Sequence, residues 1–107
     1  MGKIPKQIQG LIEDYVKKIS NQIPIKKAFL FGSYSKGTYN EESDIDIAIF
    51  SDYFNSMNRA DGIYFLLLQA MDYGVDIQPQ AFTMKDYEEQ LGIVEEIIET
   101  GIELPIN

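Results

Sequence analysis

The sequence predicts a small α+β (equally α/β) domain: a short mixed sheet flanked by helices, in one unit over residues 1–107. Three observations predict it. Apolar residues recur at helical spacing near the start, middle and end of the chain. Two intervening stretches alternate apolar and polar residues as half-buried strands do. A further short apolar run, stopped by a glycine, supplies another strand. Helices interleaved with strands bury one sheet under helical cover. The chain has 107 residues, of which 45% are hydrophobic. That length suits one domain with one modest core, burying roughly 65% of the unfolded surface.

Each element has its own signal. Ile4, Ile8, Leu11, Ile12, Tyr15, Val16 and Ile19 predict a helix over about residues 5–21, opened by Pro5 and stopped before Pro24. Ala28-Phe29-Leu30-Phe31 reads as a buried strand ended by Gly32. Residues 32–43 are rich in turn formers. In Asp44–Phe50, Ile45, Ile47 and Ile49 share one face, and Asp44, Asp46 and Ala48 the other. Residues 51–58 read as a loop, and Ala60–Tyr73 as a well-buried helix closed by Gly74. Val75–Phe82 alternates again, with Asp76, Gln78 and Gln80 on one face. Thr83 and Asp86 have the spacing of a capping box. Ile93, Val94, Ile97 and Ile98 oppose Glu95, Glu96 and Glu99 in a short amphipathic helix before Gly101.

Composition removes whole classes of chemistry. There is no Cys, no His and no Trp. Without Cys there is no disulfide framework, thiolate nucleophile or Cys-ligated zinc; without His there is no imidazole base or ligand. A general base must be a carboxylate, Lys or Tyr, and a bound metal must be a hard, oxygen-seeking cation. The longest apolar run, Ile63–Leu68, is far short of a membrane span. Lys3 and Lys6 precede no apolar leader, so no signal peptide is expected, and the absence of Cys is compatible with a cytoplasmic protein.

The formal net charge is −8. Seven Lys and only Glu13 and Asp14 fall in residues 1–40, whereas Arg59 and Lys85 face fifteen acids in residues 41–107. Such a chain suits a divalent cation or a basic partner better than nucleic acid, whose non-specific binding rests on Lys and Arg.

Three features converge on chemistry. Gly32-Ser33 follows a buried strand, where glycine permits a tight turn and close approach, and the hydroxyl and backbone N–H groups can cradle phosphate. It is no P-loop: Thr38 stands after Gly37 where that motif needs Lys. Asp44-x-Asp46 places two carboxylates on one strand face about 7 Å apart at the backbone, suited to holding one or two cations. A solvent-facing strand edge or a pair of salt bridges would also account for such a pair, but the neighbours Glu41 and Glu42 supply acids, not bases, and add like charge. Asp76, on a later strand, completes a triad if the two strands pair.

Gly32-Ser33, Gly37 and Ser43-Asp44-Ile45-Asp46 together resemble the signature of the minimal nucleotidyltransferases of the DNA polymerase beta-like superfamily. Many of these are the antitoxin half of HEPN/MNT toxin–antitoxin pairs. The resemblance runs from Ala28 to about Gly101. It implies that Gly32 and Ser33 bind a nucleoside triphosphate, with Ser43 in the same motif and Lys36 near phosphate. It implies that Asp44 and Asp46 hold magnesium, as two ions, and that Asp76 is a third carboxylate, ligand or base. The implied reaction transfers AMP from ATP to a hydroxyl, on a Tyr, of a HEPN-type partner protein, silencing a toxic RNase. About thirty residues follow Asp76, so the acceptor surface is expected from a partner. Two other readings stand beside it: a non-catalytic scaffold that neutralises its partner by occlusion, and a transferase acting on RNA ends or a small hydroxylated molecule.

Overall fold

The computed structural model describes residues 4–106; Lys3, counted in the basic N-terminal stretch, lies outside them. The elements are α1 (Lys6–Ser20), β1 (Lys27–Phe31), the single turn α2 (Ser33–Lys36), β2 (Ile45–Phe50), α3 (Arg59–Ala70), β3 (Ile77–Phe82), α4 (Met84–Glu89), α5 (Ile93–Thr100) and β4 (Ile102–Glu103). Short 3-10 turns cover Asp52–Ser56 and Met71–Tyr73. The sheet order is β3-β2-β1-β4. β1 runs antiparallel to β2 and to β4, and β2 runs parallel to β3, so the sheet is mixed as expected.

The alternation in β2 explains its two covers. Ile45, Ile47 and Ile49 turn to the face packed by α1 and α3, through Ile12, Tyr15, Val16, Ile19 and Leu66. Ala48 and Phe50 turn the other way, into a second cluster with Phe29, Phe82, and Val94 and Ile97 of α5. Asp46 shares this second face but lies one residue pair before that cover begins. It is half-buried where Ala48 is fully buried. The Tyr15 hydroxyl donates to the Leu66 carbonyl at 2.7 Å and ties α1 to α3.

β3 carries Pro79 in its middle, which a central strand would not tolerate. The pairing resolves this. The carbonyls of Asp76 and Phe82 accept from Ile45 and Ser51 on the β2 side. Backbone groups alternate along a strand, so Pro79 turns its missing donor to the open edge. A proline there also discourages pairing with another chain.

The 51–58 stretch is tighter than a plain loop. Ser51, fully buried, donates from its hydroxyl to the Pro24 carbonyl at 2.6 Å and accepts from Tyr53 N–H at 3.1 Å. Ser51→Ala leaves both groups unpaired and is expected to cost about 1–3 kcal/mol; chemical denaturation would measure it. The Thr83–Asp86 capping box forms as its spacing indicates, at 2.9 and 3.1 Å, and starts α4.

One expectation needs correcting. The stretch Ala60–Tyr73 is helical through Ala70 and then tightens, but it is not well buried. Leu66 and Ala70 face the core, whereas Tyr64, Leu67, Leu68 and Met71 remain exposed. An all-round apolar sequence indicates burial on every side; among the described residues it is one side of α3, through Leu66 and Ala70, that packs into the core.

Candidate active site

The end of β1 and the start of β2 lie side by side, with Phe31 opposite Asp46. The chain leaves β1 through Gly32, at φ 73° and ψ −148°, a region open essentially to glycine alone. An added Cβ at Gly32 would fall on the Asp46 carboxylate. The Gly-Ser turn and the acidic strand are therefore one packed unit. Gly32 is the N-cap of α2, whose first N–H groups have no partner within the turn. Ser33 stands at that start, half-buried, its hydroxyl without a hydrogen bond among the described residues. The Ser35 hydroxyl donates to the Gly32 carbonyl at 3.0 Å, and Gly37 closes the turn in the left-handed region. Beneath, buried Tyr34 stacks on Tyr39 at 4.6 Å between ring centroids.

Asp44 is exposed and Asp46 half-buried. Partial burial raises the Asp46 pKa above the ordinary carboxylate value, and the neighbouring Asp44 charge raises it further. Neither carboxylate has an ion pair or hydrogen bond among the described residues. Two oxygen donors without a counter-charge, one held uncomfortably as an anion, form a donor set that fits a hard divalent cation.

The other expected residues are placed less closely. The Asp76 carbonyl accepts from Ile45 N–H at 2.8 Å, so its backbone sits beside the Asp44-Ile45 step. Among the described residues no group of three acids is positioned to hold a metal. Lys36 is exposed and lies 3.8 Å from Glu96 of α5. The Ser43 hydroxyl accepts from Asn40 N–H at 2.9 Å, and Asn40 accepts from Glu42 N–H at 2.8 Å, so Ser43 closes the turn that leads into β2. Sequence reasoning missed α2 itself, because four residues are too few to show a period, and missed Glu96 as a neighbour of Lys36. The register also brings polar Gln78 opposite Asp46, and its alternation with Asp76 was already visible.

A family profile described as a nucleotidyltransferase domain matches residues 11–104. Three proteins of Methanocaldococcus jannaschii, each named as a candidate protein adenylyltransferase, are similar over shorter stretches. One is 49% identical over 43 residues, which is 38% of this chain and 43% of that protein. The second is 42% identical over 45 residues, 40% of this chain and 46% of the relative. The third is 36% identical over 47 residues, 44% and 47% of the two chains. The matched stretch thus spans less than half the length of each relative. A solved structure of a candidate nucleotidyltransferase from Sulfolobus solfataricus aligns with a TM-score of 0.63 at 21% identity, covering 75% of this chain and 70% of that one. At that identity the likeness is one of fold.

Proposed function

We propose a function from one premise: the chain belongs to the nucleotidyltransferase domain family. Acting as one minimal domain, it transfers AMP from ATP to a hydroxyl of a protein. The observation that carries this reading is the close packing of Gly32 on the Asp46 carboxylate, which sets the Gly-Ser turn directly against an acid pair with no counter-charge among the described residues. The protein acceptor is supported by the three archaeal relatives named for protein adenylyltransfer. The finer identity is a Tyr hydroxyl on a HEPN-type toxin, silenced in the cytoplasm by its antitoxin, and it rests on the motif's resemblance to minimal nucleotidyltransferases.

Asp44 and Asp46 would hold magnesium, which when bound neutralises charge on the triphosphate and on the departing pyrophosphate. The chain's own groups do the rest. The Gly32-Ser33 turn offers N–H groups and a hydroxyl, unpaired among the described residues, to phosphate oxygens. Lys36, held only by an exposed pair to Glu96, is free to exchange that weak contact for phosphate. The fixed turn and strand orient the α-phosphorus for in-line attack by the acceptor oxygen. The new bond joins that oxygen to the α-phosphorus, the bond to the bridging oxygen of pyrophosphate breaks, and the hydroxyl proton leaves to a carboxylate. Asp76, whose carbonyl accepts from Ile45 N–H beside the acid pair, is the third carboxylate, as base or as further ligand.

Two measurements test this. Incubation with α-labelled ATP and magnesium in a lysate of the source cells is expected to label a protease-sensitive band; a nuclease-sensitive product would move the acceptor to RNA. Ser33→Ala is expected to weaken ATP binding about 3- to 10-fold, the worth of one modest hydrogen bond. Unchanged affinity by calorimetry would place the phosphates elsewhere.

A further inference from the structure

A cavity of about 400 Å³ lies beside the acid pair and has no part in the chemistry above. Gln80 and Phe82 line it from β3, on the sheet face that also carries Asp46. Leu91, Ile93 and Val94 line it from the α4–α5 turn and the start of α5. Leu91 and Ile93 are 71% and 50% exposed, so much of their apolar surface is open to water. Two charged groups of the lining already match each other. The Arg59 guanidinium lies 3.6 Å from Asp86, donates to the Ala81 carbonyl at 3.3 Å and sits 4.8 Å from the centre of the Phe82 ring. Glu89 is the lining charge with no ion pair among the described residues. On the basis of the transfer reaction proposed above, we infer that this cavity binds the acceptor protein, taking an arginine or lysine side chain that flanks the reacting hydroxyl in its sequence.

In-line displacement at the α-phosphorus decides where the acceptor stands. The Gly32-Ser33 turn follows β1, and β1 and β3 flank β2 on opposite sides. With the departing pyrophosphate held at that turn, the attacking oxygen must come from the β3 side, because attacking and leaving oxygens lie roughly in line. On β3, Gln78 is level with Asp46, and Gln80 follows about 7 Å further along the same face. Two residues of an extended peptide span that distance and put their side chains on one side. An acceptor segment that lies along this face with its hydroxyl at Asp46 therefore brings the side chain two positions away to the cavity. The lining selects which side chain that is. Arginine and lysine combine an apolar stem with a charged head. The stem matches Leu91, Ile93 and Phe82, and the head meets Glu89. The wider surface favours the same charge: Glu88 and Glu95 are exposed, and residues 41–107 hold fifteen acids against Arg59 and Lys85. An acidic acceptor segment would be repelled there.

Two synthetic peptides test this, each a central tyrosine among glycines, with either arginine or glutamate two positions to each side. Titrated into the whole nucleotide-free chain, the arginine peptide is expected to shift the backbone amide NMR signals of Gln80, Leu91 and Ile93, and the glutamate peptide to leave them in place. With α-labelled ATP and magnesium, transfer to the arginine peptide is expected to exceed transfer to the glutamate peptide by about 10-fold. Glu89→Lys is expected to raise the KM for the arginine peptide about 5-fold, the scale of one exposed ion pair, with ATP affinity by calorimetry unchanged. Glu99→Lys makes the same charge change at the far end of α5 and is expected to keep the wild-type KM. An arginine peptide that leaves the three amide signals in place would overturn the proposal. So would equal effects from the two lysine variants, or a loss of ATP affinity in Glu89→Lys, which would assign the cavity to the nucleotide. Amide shifts with no transfer to either peptide would support the basic-peptide site and overturn the transfer reading alone.

Discussion

Asp44→Asn and Asp46→Asn are each expected to lower nucleotidyl transfer by about 10²- to 10³-fold, the scale at which loss of one preorganised charge-stabilising group is felt. Neither change should unfold the chain. Asp44 is exposed, and Asp46 holds no hydrogen bond or ion pair among the described residues that the amide would break. Asp46→Asn should in fact raise the thermal midpoint of the cation-free protein slightly. The native state disfavours the Asp46 anion, through burial first and the Asp44 charge second, so its pKa is raised on folding. A raised acid contributes stability below its unfolded pKa and loses that contribution as pH rises through the folded value. The gain from asparagine should therefore be present at neutral pH and vanish on acidification. A single-turnover assay with labelled ATP, beside melting curves at neutral and acid pH, separates the two effects. Both variants remaining active would remove the acid pair from the chemistry.

Much of this architecture was legible in the residues. β2 was read almost to its ends because Ile45, Ile47 and Ile49 alternate strictly with less apolar positions, and α5 because its glutamates fall on one side. The Thr83 capping box was legible because its two hydrogen bonds are local. What could not be read is what depends on distant partners. β4 is two residues long and exists only because β1 offers an edge. The exposure of α3 was hidden because its sequence is apolar on most sides, and nothing local says which side the sheet will take. The same limit applies at the site. Gly32-Ser33 and Asp44-x-Asp46 were visible as separate signals, but only the β1–β2 register puts Gly32 under the Asp46 carboxylate. Asp76 depends on the β2–β3 register, which brings its backbone to Ile45.

That register makes Gly32→Ala the second large effect. The backbone at φ 73° and ψ −148° is one that a residue with a Cβ occupies at a cost of about 1–3 kcal/mol. The new methyl also falls on the Asp46 carboxylate, so either the turn opens or the acid moves. Both outcomes separate the phosphate-facing groups from the acid pair, and transfer is expected to fall as far as it does in Asp46→Asn. The thermal midpoint should drop by roughly 10 °C, since about 2 kcal/mol shifts a domain of this size that far. Gly37→Ala is the matched control. Gly37 also has a positive φ, 78°, but a Cβ there meets nothing within 4 Å. It should bear the backbone cost alone, about 1 kcal/mol, and keep transfer. Placing Gly32→Ala in an Asp46→Ala background removes the collision while leaving the backbone strain. Stability should then recover part of the loss and activity none of it, a coupling that a double-mutant cycle reads directly. Purely additive stabilities would mean that Gly32 and Asp46 do not press on each other, and the phosphate turn and the acid pair would have to be treated as separate sites.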